Sequence, residues 1–471
     1  MRQVKDVIII GAGTAGLTAL REVRKWTDNF LLINNGPYGT TCARVGCMPS
    51  KALIEAANAF HRRHAFEAFG IRGGERLTVD LPFVLRRVRK LRDDFVSGVL
   101  KATESLGDRN LAGRARLLGP DRIDVDGRLF QAKRIIIATG SRPVVPDSWR
   151  SFGNRILTTD TLFEQETLPS RIAVVGLGPI GIELAQALSR LGIHVVGFDM
   201  ARMLAGMSDE LVHAAFTDLL GREFAFHMEA AASLSETPDG IEIRSGQIRV
   251  VVDQVLAAMG RRPNIDGIGM EALGVELDPR GMPPVDSATM QIADLPVFLA
   301  GDANGHAAVL HEAADEGHIA GFNAMAEHIQ CFKRRTPLGI IFSDPGIARV
   351  GQRFAELDLP NTLIGGVRFA GHGRARTAER NKGMMRIYAD KANGRLLGAE
   401  MCAPAAEHMA QLLALAIECQ LTVGELLRMP FYHPVFEEGV RAALKKIASK
   451  LPTDRKPDLA VCDSIQSEAL D

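Results

Sequence analysis

An α/β fold with two Rossmann-like dinucleotide-binding units followed by a C-terminal α+β unit is what the sequence predicts, and three observations predict it. An apolar run, a G-x-G-x-x-G turn and a helical pattern follow one another near the N-terminus. The same succession returns 165 residues later, from Gly11 to Gly176. Beyond Pro337 the pattern changes to short β-like runs followed by helical stretches, as in segregated α+β architecture.

The bulk properties allow this reading and exclude others. With 471 residues, 46% hydrophobic, and 46 glycines, the chain is long enough for about three domains, each burying its own core. Lys plus Arg and Asp plus Glu both number 56, so no overall field favours nucleic acid or an anionic membrane surface. The first apolar run is too short for a signal segment and ends in glycines, and no run of about 18 apolar residues occurs. A soluble, cytoplasmic protein is expected, with no membrane or nucleic-acid partner. Six cysteines are too few for a disulfide scaffold, and only Cys42 and Cys47 form a close pair.

In the first unit a strand over 7–10 leads into Gly11-Ala12-Gly13-Thr14-Ala15-Gly16 and a helix over 17–26. In the second, 172–175 leads into Gly176-Leu177-Gly178-Pro179-Ile180-Gly181 and a helix over 182–191. Bare glycine backbone between a strand and a helix lets a pyrophosphate approach the helix N-terminal N–H groups and dipole. An acidic ribose partner belongs about 20 residues on, at the end of the next strand. Asp199, closing the run 193–198, fits that place and favours NAD, while nearby Arg202 keeps NADP open. The corresponding first-unit strand, 30–33, ends at Asn34, which can accept a ribose hydrogen bond without carrying charge.

Pro143, Pro146 and the polar stretch to Asn154 read as a linker into the second unit, and Gly260 to Asn264 as its exit. Strands over 338–342 and 384–388 and helices over 407–419 and 440–449 make the third unit. The boundaries expected are 1–150 with 271–335 for the first domain, 151–270 for the second and 336–450 for the third. A polar tail, 451–471, is expected to be poorly ordered.

The segment Thr40 to Lys51 holds the chemistry. Residues five apart in an ideal helix lie about 8 to 9 Å from one another, beyond the reach of a disulfide, so pairing Cys42 with Cys47 requires a distorted turn. Gly46 eases such a turn, and a helix beginning at or just after the pair would depress a thiol pKa. Two buried structural thiols are the alternative. A zinc site finds no second Cys/His pair at ligand spacing.

Taken together, the first glycine turn, Cys42 to Lys51, Ala138-Thr139-Gly140-Ser141-Arg142-Pro143, the second turn with Glu183, Gly260 to Asn264, Ala300-Gly301-Asp302 and His433-Pro434 with Glu438 resemble the pyridine nucleotide-disulfide oxidoreductases, the flavoprotein family of dihydrolipoamide dehydrogenase, glutathione reductase and mercuric reductase. The resemblance covers nearly the whole chain. It implies that FAD is held by Gly11, Gly13, Gly16, Asn34, Lys51, Thr139, Gly140 and Asp302, and NAD by Gly176, Gly178, Gly181, Glu183, Asp199 and Gly260. It implies a redox disulfide in which Cys47 faces the flavin and Cys42 exchanges with substrate. Lys51 would pair with Glu183 beside the flavin. His433, oriented by Glu438, would serve as acid/base to Cys42 of the other subunit of a homodimer, making the third domain a dimerisation domain.

Within the family the sequence resembles the dihydrolipoamide dehydrogenase branch through Asp199 and the segment 310–317, which implies a small dithiol or a lipoyl protein as substrate. Asn34 departs from the family's usual glutamate, and Tyr432 and Phe436 flank His433 with bulk expected to reshape the disulfide pocket. A glutathione reductase-like enzyme is the alternative within the family. A non-catalytic flavoprotein binding module is the alternative outside it, and the intact Cys42, Cys47, His433, Glu438 set argues against that.

Overall fold

The computed structural model describes residues 4–451, so the expected tail and its Cys462 lie outside the described residues. Five strands of the N-terminal sheet run parallel, in the order Asn110–Ala112, Phe30–Asn34, Lys5–Ile10, Arg128–Ile137 and Val297–Leu299. Ala115–Leu117 and Arg122–Val125 extend it as an antiparallel meander. Val7 to Ile10 and Phe30 to Ile33 are all buried, as central parallel strands covered on both faces must be.

The second sheet is wholly parallel, in the order Ala225–His227, His194–Phe198, Arg171–Val175, Gln254–Ala257, Ile156–Leu157. An antiparallel meander, Ala232–Thr237, Gly240–Ser245 and Ile248–Val252, covers one face. Trp149 and Phe152 are buried in the cluster between them. The segment 143–154 is therefore more than the linker expected from its prolines and polar residues: 147–155 form 3₁₀ turns whose two aromatics close a core. Its neighbour Ser141–Pro143 pairs antiparallel with Arg261–Pro263, so entry to and exit from the second unit are zipped together.

Both glycine-turn helices begin three residues earlier than the apolar periodicity indicated, at Thr14–Val23 and Pro179–Arg190. The turn residues themselves already adopt helical geometry, and Pro179 suits the first helical position because its missing N–H would have no partner there. Helix Leu310–Met325 packs along Thr14–Val23. A Cβ at Gly317 would stand 2.2 Å from the Ala15 carbonyl oxygen, and one at Gly321 2.7 Å from that of Ala19, so only bare backbone permits this approach.

The C-terminal antiparallel sheet has the order Leu338–Ile341, Gly346–Gly351, Leu396–Ala403, Met384–Asp390, Thr362–Arg368. Helices Ala406–Glu418 and Glu438–Ala448 pack on it around Met401, Met409, Leu413 and Leu444. A buried polar seam joins it to the second unit. Both carboxylate oxygens of Asp209 accept from Arg386 at 2.7 Å, the Tyr388 hydroxyl donates to Asp209 at 2.8 Å, and Glu400 accepts from the backbone of Ser208 and Asp209. No helix among the described residues is long and apolar enough to cross a membrane.

Candidate active site

The segment carrying the cysteines folds as two helices broken at one point. Thr40, at φ 51°, caps the short helix Thr41–Arg44 by accepting from the Ala43 N–H at 3.1 Å. The chain then turns at Val45-Gly46, and helix Cys47–His61 begins. A Cβ at Gly46 would lie 3.0 Å from the Thr41 carbonyl oxygen and 3.3 Å from the Cys42 Cα, so glycine is what lets the two cysteines close on each other.

The thiols titrate as a pair with opposite shifts. The hydrogen bond from the Cys42 thiol, more than any other influence, lowers Cys47 to about 7, and the Lys51 ammonium one helical turn on acts in the same direction against burial. Cys42 is pushed well above the ordinary thiol range, because its proton is held in that bond and burial opposes its ionisation. Cys47 is thus the ready thiolate, and Cys42 needs a base.

Lys51 Nζ lies 2.7 Å from Oε2 of the buried Glu183, which joins the dithiol helix to the second glycine-turn helix. The other Glu183 oxygen accepts from the Phe342 N–H at 2.9 Å, and the Phe342 ring sits 4.5 Å from the Lys51 ammonium. Sequence reasoning missed Phe342, which lay unmarked at the end of an apolar run.

Around this pair a cavity of about 250 Å³ is lined by Cys42, Cys47, Lys51, Glu183, Gly13 and Asp302, among others. A second cavity, of about 450 Å³, reaches Gly11, Asn34, Thr139 and Arg142, and shares Gly13, Thr41, Ala138 and Gly140 with the first, making one elongated cleft. The two glycine turns repeat each other in detail. Gly11 and Gly176 have φ of 111° and 94°, and a Cβ on either would collide with the carbonyl of Ala138 or Ala258; Gly16 and Gly181 would collide with the oxygens of Gly11 and Gly176 at 1.9 and 1.8 Å. Gly178, Gly140 and Gly260 have no atom within 4 Å of a would-be Cβ, which leaves bare backbone for a ligand. Thr139 Oγ1 is buried without a hydrogen-bond partner. Exposed backbone at the glycines and an unpaired hydroxyl in the cleft wall fit an elongated, phosphate-bearing dinucleotide.

Asn34 and Asp199 occupy equivalent places. Each accepts from the backbone N–H of the residue after the first glycine, Ala12 at 3.2 Å and Leu177 at 2.5 Å. The Asn34 amide also donates to the Gly36 carbonyl, so both ends of that side chain are engaged within the protein. Arg202 is exposed and pairs with Glu210 at 3.2 Å. Asp302 accepts from the Ser141 hydroxyl at 2.6 Å, and Arg261 donates to the same hydroxyl at 2.8 Å. Ser141 and Arg261 were inside the recognised motifs but had no role assigned to them.

His433 and Glu438 come together, Nδ1 to Oε1 at 2.9 Å, and that bond holds the Glu438 carboxyl below its usual range. They do not line the dithiol cavity of their own chain, and the His433 side chain is 80% exposed. Phe436 turns inward to stack on His372, flanked by Arg374 and Arg380, while Tyr432 projects into solvent.

Comparison with known proteins agrees with this geometry. Residues 5–317 match the pyridine nucleotide-disulphide oxidoreductase family model, and 338–444 match its dimerisation domain. The chain is 30% identical over 457 residues to a dihydrolipoyl dehydrogenase of Thermus scotoductus, covering 94% of this chain and 97% of that one. It is 28% identical to the dihydrolipoyl dehydrogenase of Bacillus subtilis, covering 93% and 97%. Among solved structures the fold matches LpdA of Mycobacterium tuberculosis (TM-score 0.83, 24% identity, 94% and 99% covered). It also matches the HOCl-induced flavoprotein disulfide reductase RclA of Escherichia coli in its Cu(II) complex (TM-score 0.83, 20% identity, 94% and 99% covered). With its Cys42/Cys47 pair, two glycine turns and matched dimerisation domain, the chain belongs to the pyridine nucleotide-disulphide oxidoreductases, flavoprotein enzymes that bind FAD and a pyridine nucleotide.

Proposed function

We propose that this enzyme is a dihydrolipoyl dehydrogenase-type oxidoreductase, passing electrons from a dithiol to NAD through Cys42 and Cys47. The observation that carries the chemistry is the closure of Cys42 on Cys47 across the Gly46 turn, in a cleft also lined by Lys51, Glu183 and Asp302. The substrate class rests on the near full-length similarity to dihydrolipoyl dehydrogenases.

FAD, when bound, supplies the electron relay between the dithiol and the pyridine nucleotide. Gly11, Gly13, Gly16, Thr139, Gly140, Lys51 and Asp302 would hold it, with Ser141 and Arg261 fixing the Asp302 carboxylate. In the oxidised enzyme a substrate thiolate attacks Cys42 Sγ, breaking the Cys42–Cys47 bond and releasing Cys47 as the thiolate that its environment favours. The second substrate thiol then displaces Cys42, so the substrate leaves as a disulfide and the enzyme retains two electrons as its dithiol. The proton of the first substrate thiol goes to His433, whose Nδ1 is oriented by Glu438, leaving Nε2 to accept it, and the proton of the second ends on Cys42 as that thiol leaves. Because His433 is exposed on its own chain, a second copy of the chain supplies it. On the nucleotide side Gly176, Gly178, Gly181 and Gly260 offer bare backbone, and the Asp199 carboxylate disfavours a 2′-phosphate, hence NAD.

Steady-state NAD⁺ reduction by dihydrolipoamide tests this, with Cys42→Ser as control. Turnover that vanishes in the variant is expected. Absence of turnover by a protein that binds FAD and is bleached by NADH would remove the lipoyl assignment.

A further inference from the structure

The face of helix Pro179–Arg190 that carries Glu183 also carries Gln186 and Arg190, at spacings of three and four, so all three point the same way. Arg190 is almost fully buried and saturated. Its guanidinium donates to Glu223 at two points, both 2.7 Å, to the Asn58 side-chain oxygen at 2.6 Å, and to the Asp344 carbonyl and carboxylate at 3.0 and 3.3 Å. Gln186 exchanges hydrogen bonds with the Asp344 backbone, at 2.9 and 3.0 Å. Asn58 lies on the dithiol helix seven residues beyond Lys51, just as Arg190 lies seven beyond Glu183. The two helices are therefore pinned twice, two turns apart: Lys51 to Glu183 at the redox end and Asn58 to Arg190 at the far end.

We propose that Arg190 is a positioning residue for the redox site: through Asn58 it fixes the far end of the helix bearing Cys47 and Lys51, so that the Lys51–Glu183 pair forms at the correct place beside the thiols. A single ion pair at one end leaves two packed helices free to slide or swivel about it. A second bond two turns away removes that freedom, and the fork of Arg190 is itself held by Glu223 and Asp344. The proposal rests on the reading of Cys42 and Cys47 as the redox pair, and its consequence is electrostatic. Cys47 is faced by Cys42, Lys51 and Glu183, of which Lys51 favours the thiolate and Glu183 opposes it, so a small displacement of Lys51 changes the balance. Arg190 is faced by Glu223, Asp344, His61 and His64, with Arg380 reaching Asp344 from the C-terminal domain. His61 is lowered to about 4 by burial and then by Arg190, so it stays neutral around pH 7. Position 58 is about 16 Å along the helix from Cys47, and Asn58→Ala exchanges one neutral side chain for another, so that substitution reaches Cys47 through position rather than through charge.

The experiment is iodoacetamide alkylation of the reduced full-length protein as a function of pH, with Cys47 and Cys42 resolved by peptide mass spectrometry. It needs neither substrate nor turnover. In Asn58→Ala the Cys47 profile moves to higher pH, slowing its alkylation near pH 7 by about twofold to fivefold, as a rise of about half to one unit from a pKa of about 7 requires. Asn58→Asp keeps the acceptor for Arg190 and keeps the wild-type profile. Arg190→Met behaves as Asn58→Ala; should it fail to fold, the Asn58 pair decides alone. A wild-type profile in Asn58→Ala, or equal shifts in Asn58→Ala and Asn58→Asp, overturns the positioning role while leaving the redox pair standing. A wild-type Cys47 without a depressed profile overturns the redox-pair reading itself, and the positioning role with it.

Discussion

The Cys42 hydrogen bond does most to lower Cys47, and the charges of Lys51 and Glu183 tune it further, with signs that make their part testable one residue at a time. Because the folded protein lowers Cys47 from the ordinary thiol value to about 7, the thiolate fraction rises through pH 7 rather than two units higher. Lys51→Met removes a cation that favours the thiolate, so the inflection of Cys47 alkylation against pH should move up. Glu183→Gln removes an anion that disfavours it, so the inflection should move down. The double variant should fall between them, since the two charges are 2.7 Å apart and their effects cannot be independent. Equal inflections in all four proteins would show that the pair exerts no field at the thiol. Much at this scale was legible in advance. The cysteines, the glycines and Asp199 declared themselves by residue type and spacing, because chemistry at those places admits few substitutes. The Lys51–Glu183 contact was not derivable that way: 132 residues separate the partners, and only the family resemblance joined them. Phe342 and Arg190 carried no signal, since an aromatic ending an apolar run and an arginine ending a helix are ordinary.

At the scale of elements, strand, turn and helix divide the glycines into two kinds that mutation should separate. Gly181 sits where a methyl group would be 1.8 Å from the Gly176 oxygen, so Gly181→Ala must push helix Pro179–Arg190 off its strand. The expected loss is about 1–3 kcal/mol in urea unfolding, together with weakened NADH binding. Gly178 has an extended backbone that alanine adopts freely and empty space around its Cβ direction. Gly178→Ala should therefore unfold at the wild-type urea midpoint yet raise the KM for NADH, since its methyl group enters the space left for the pyrophosphate. Equal midpoints for the two variants would contradict the distinction. Element type and order could be read from periodicity here, but boundaries could not. The glycine-turn residues are already helical, so the apolar rhythm starts late. The segment 143–154 looked like a linker because two aromatics among polar residues give no period, although Trp149 and Phe152 close a core.

On the scale of the whole molecule, the question is how separate sheets become one machine. Asp209, with no exposed surface, receives Arg386 and the Tyr388 hydroxyl from the C-terminal sheet and also caps helix Glu210–Leu220. Asp209→Ala should cost about 3–5 kcal/mol in denaturant unfolding, because it leaves Arg386 partly buried without its anion. A loss below about 1 kcal/mol would mean the seam contributes only an ordinary surface pair. Nothing in the sequence marked that seam, since its partners are joined only by the folded arrangement of the domains. Assembly goes one step further. His433 is hydrogen-bonded to a half-buried Glu438 yet itself stands in solvent, outside the cavity that holds Cys42 of the same chain. If each active site combines Cys42 of one subunit with His433 of the other, Cys42→Ser and His433→Gln proteins will each be nearly inactive as pure dimers. Unfolding and refolding them together yields hybrids in which one site carries both lesions and the other carries none. Random pairing makes half the dimers hybrid with half their sites intact, so about a quarter of wild-type activity should return. A histidine that served its own chain's Cys42 would leave every site with one lesion, and mixing would restore nothing.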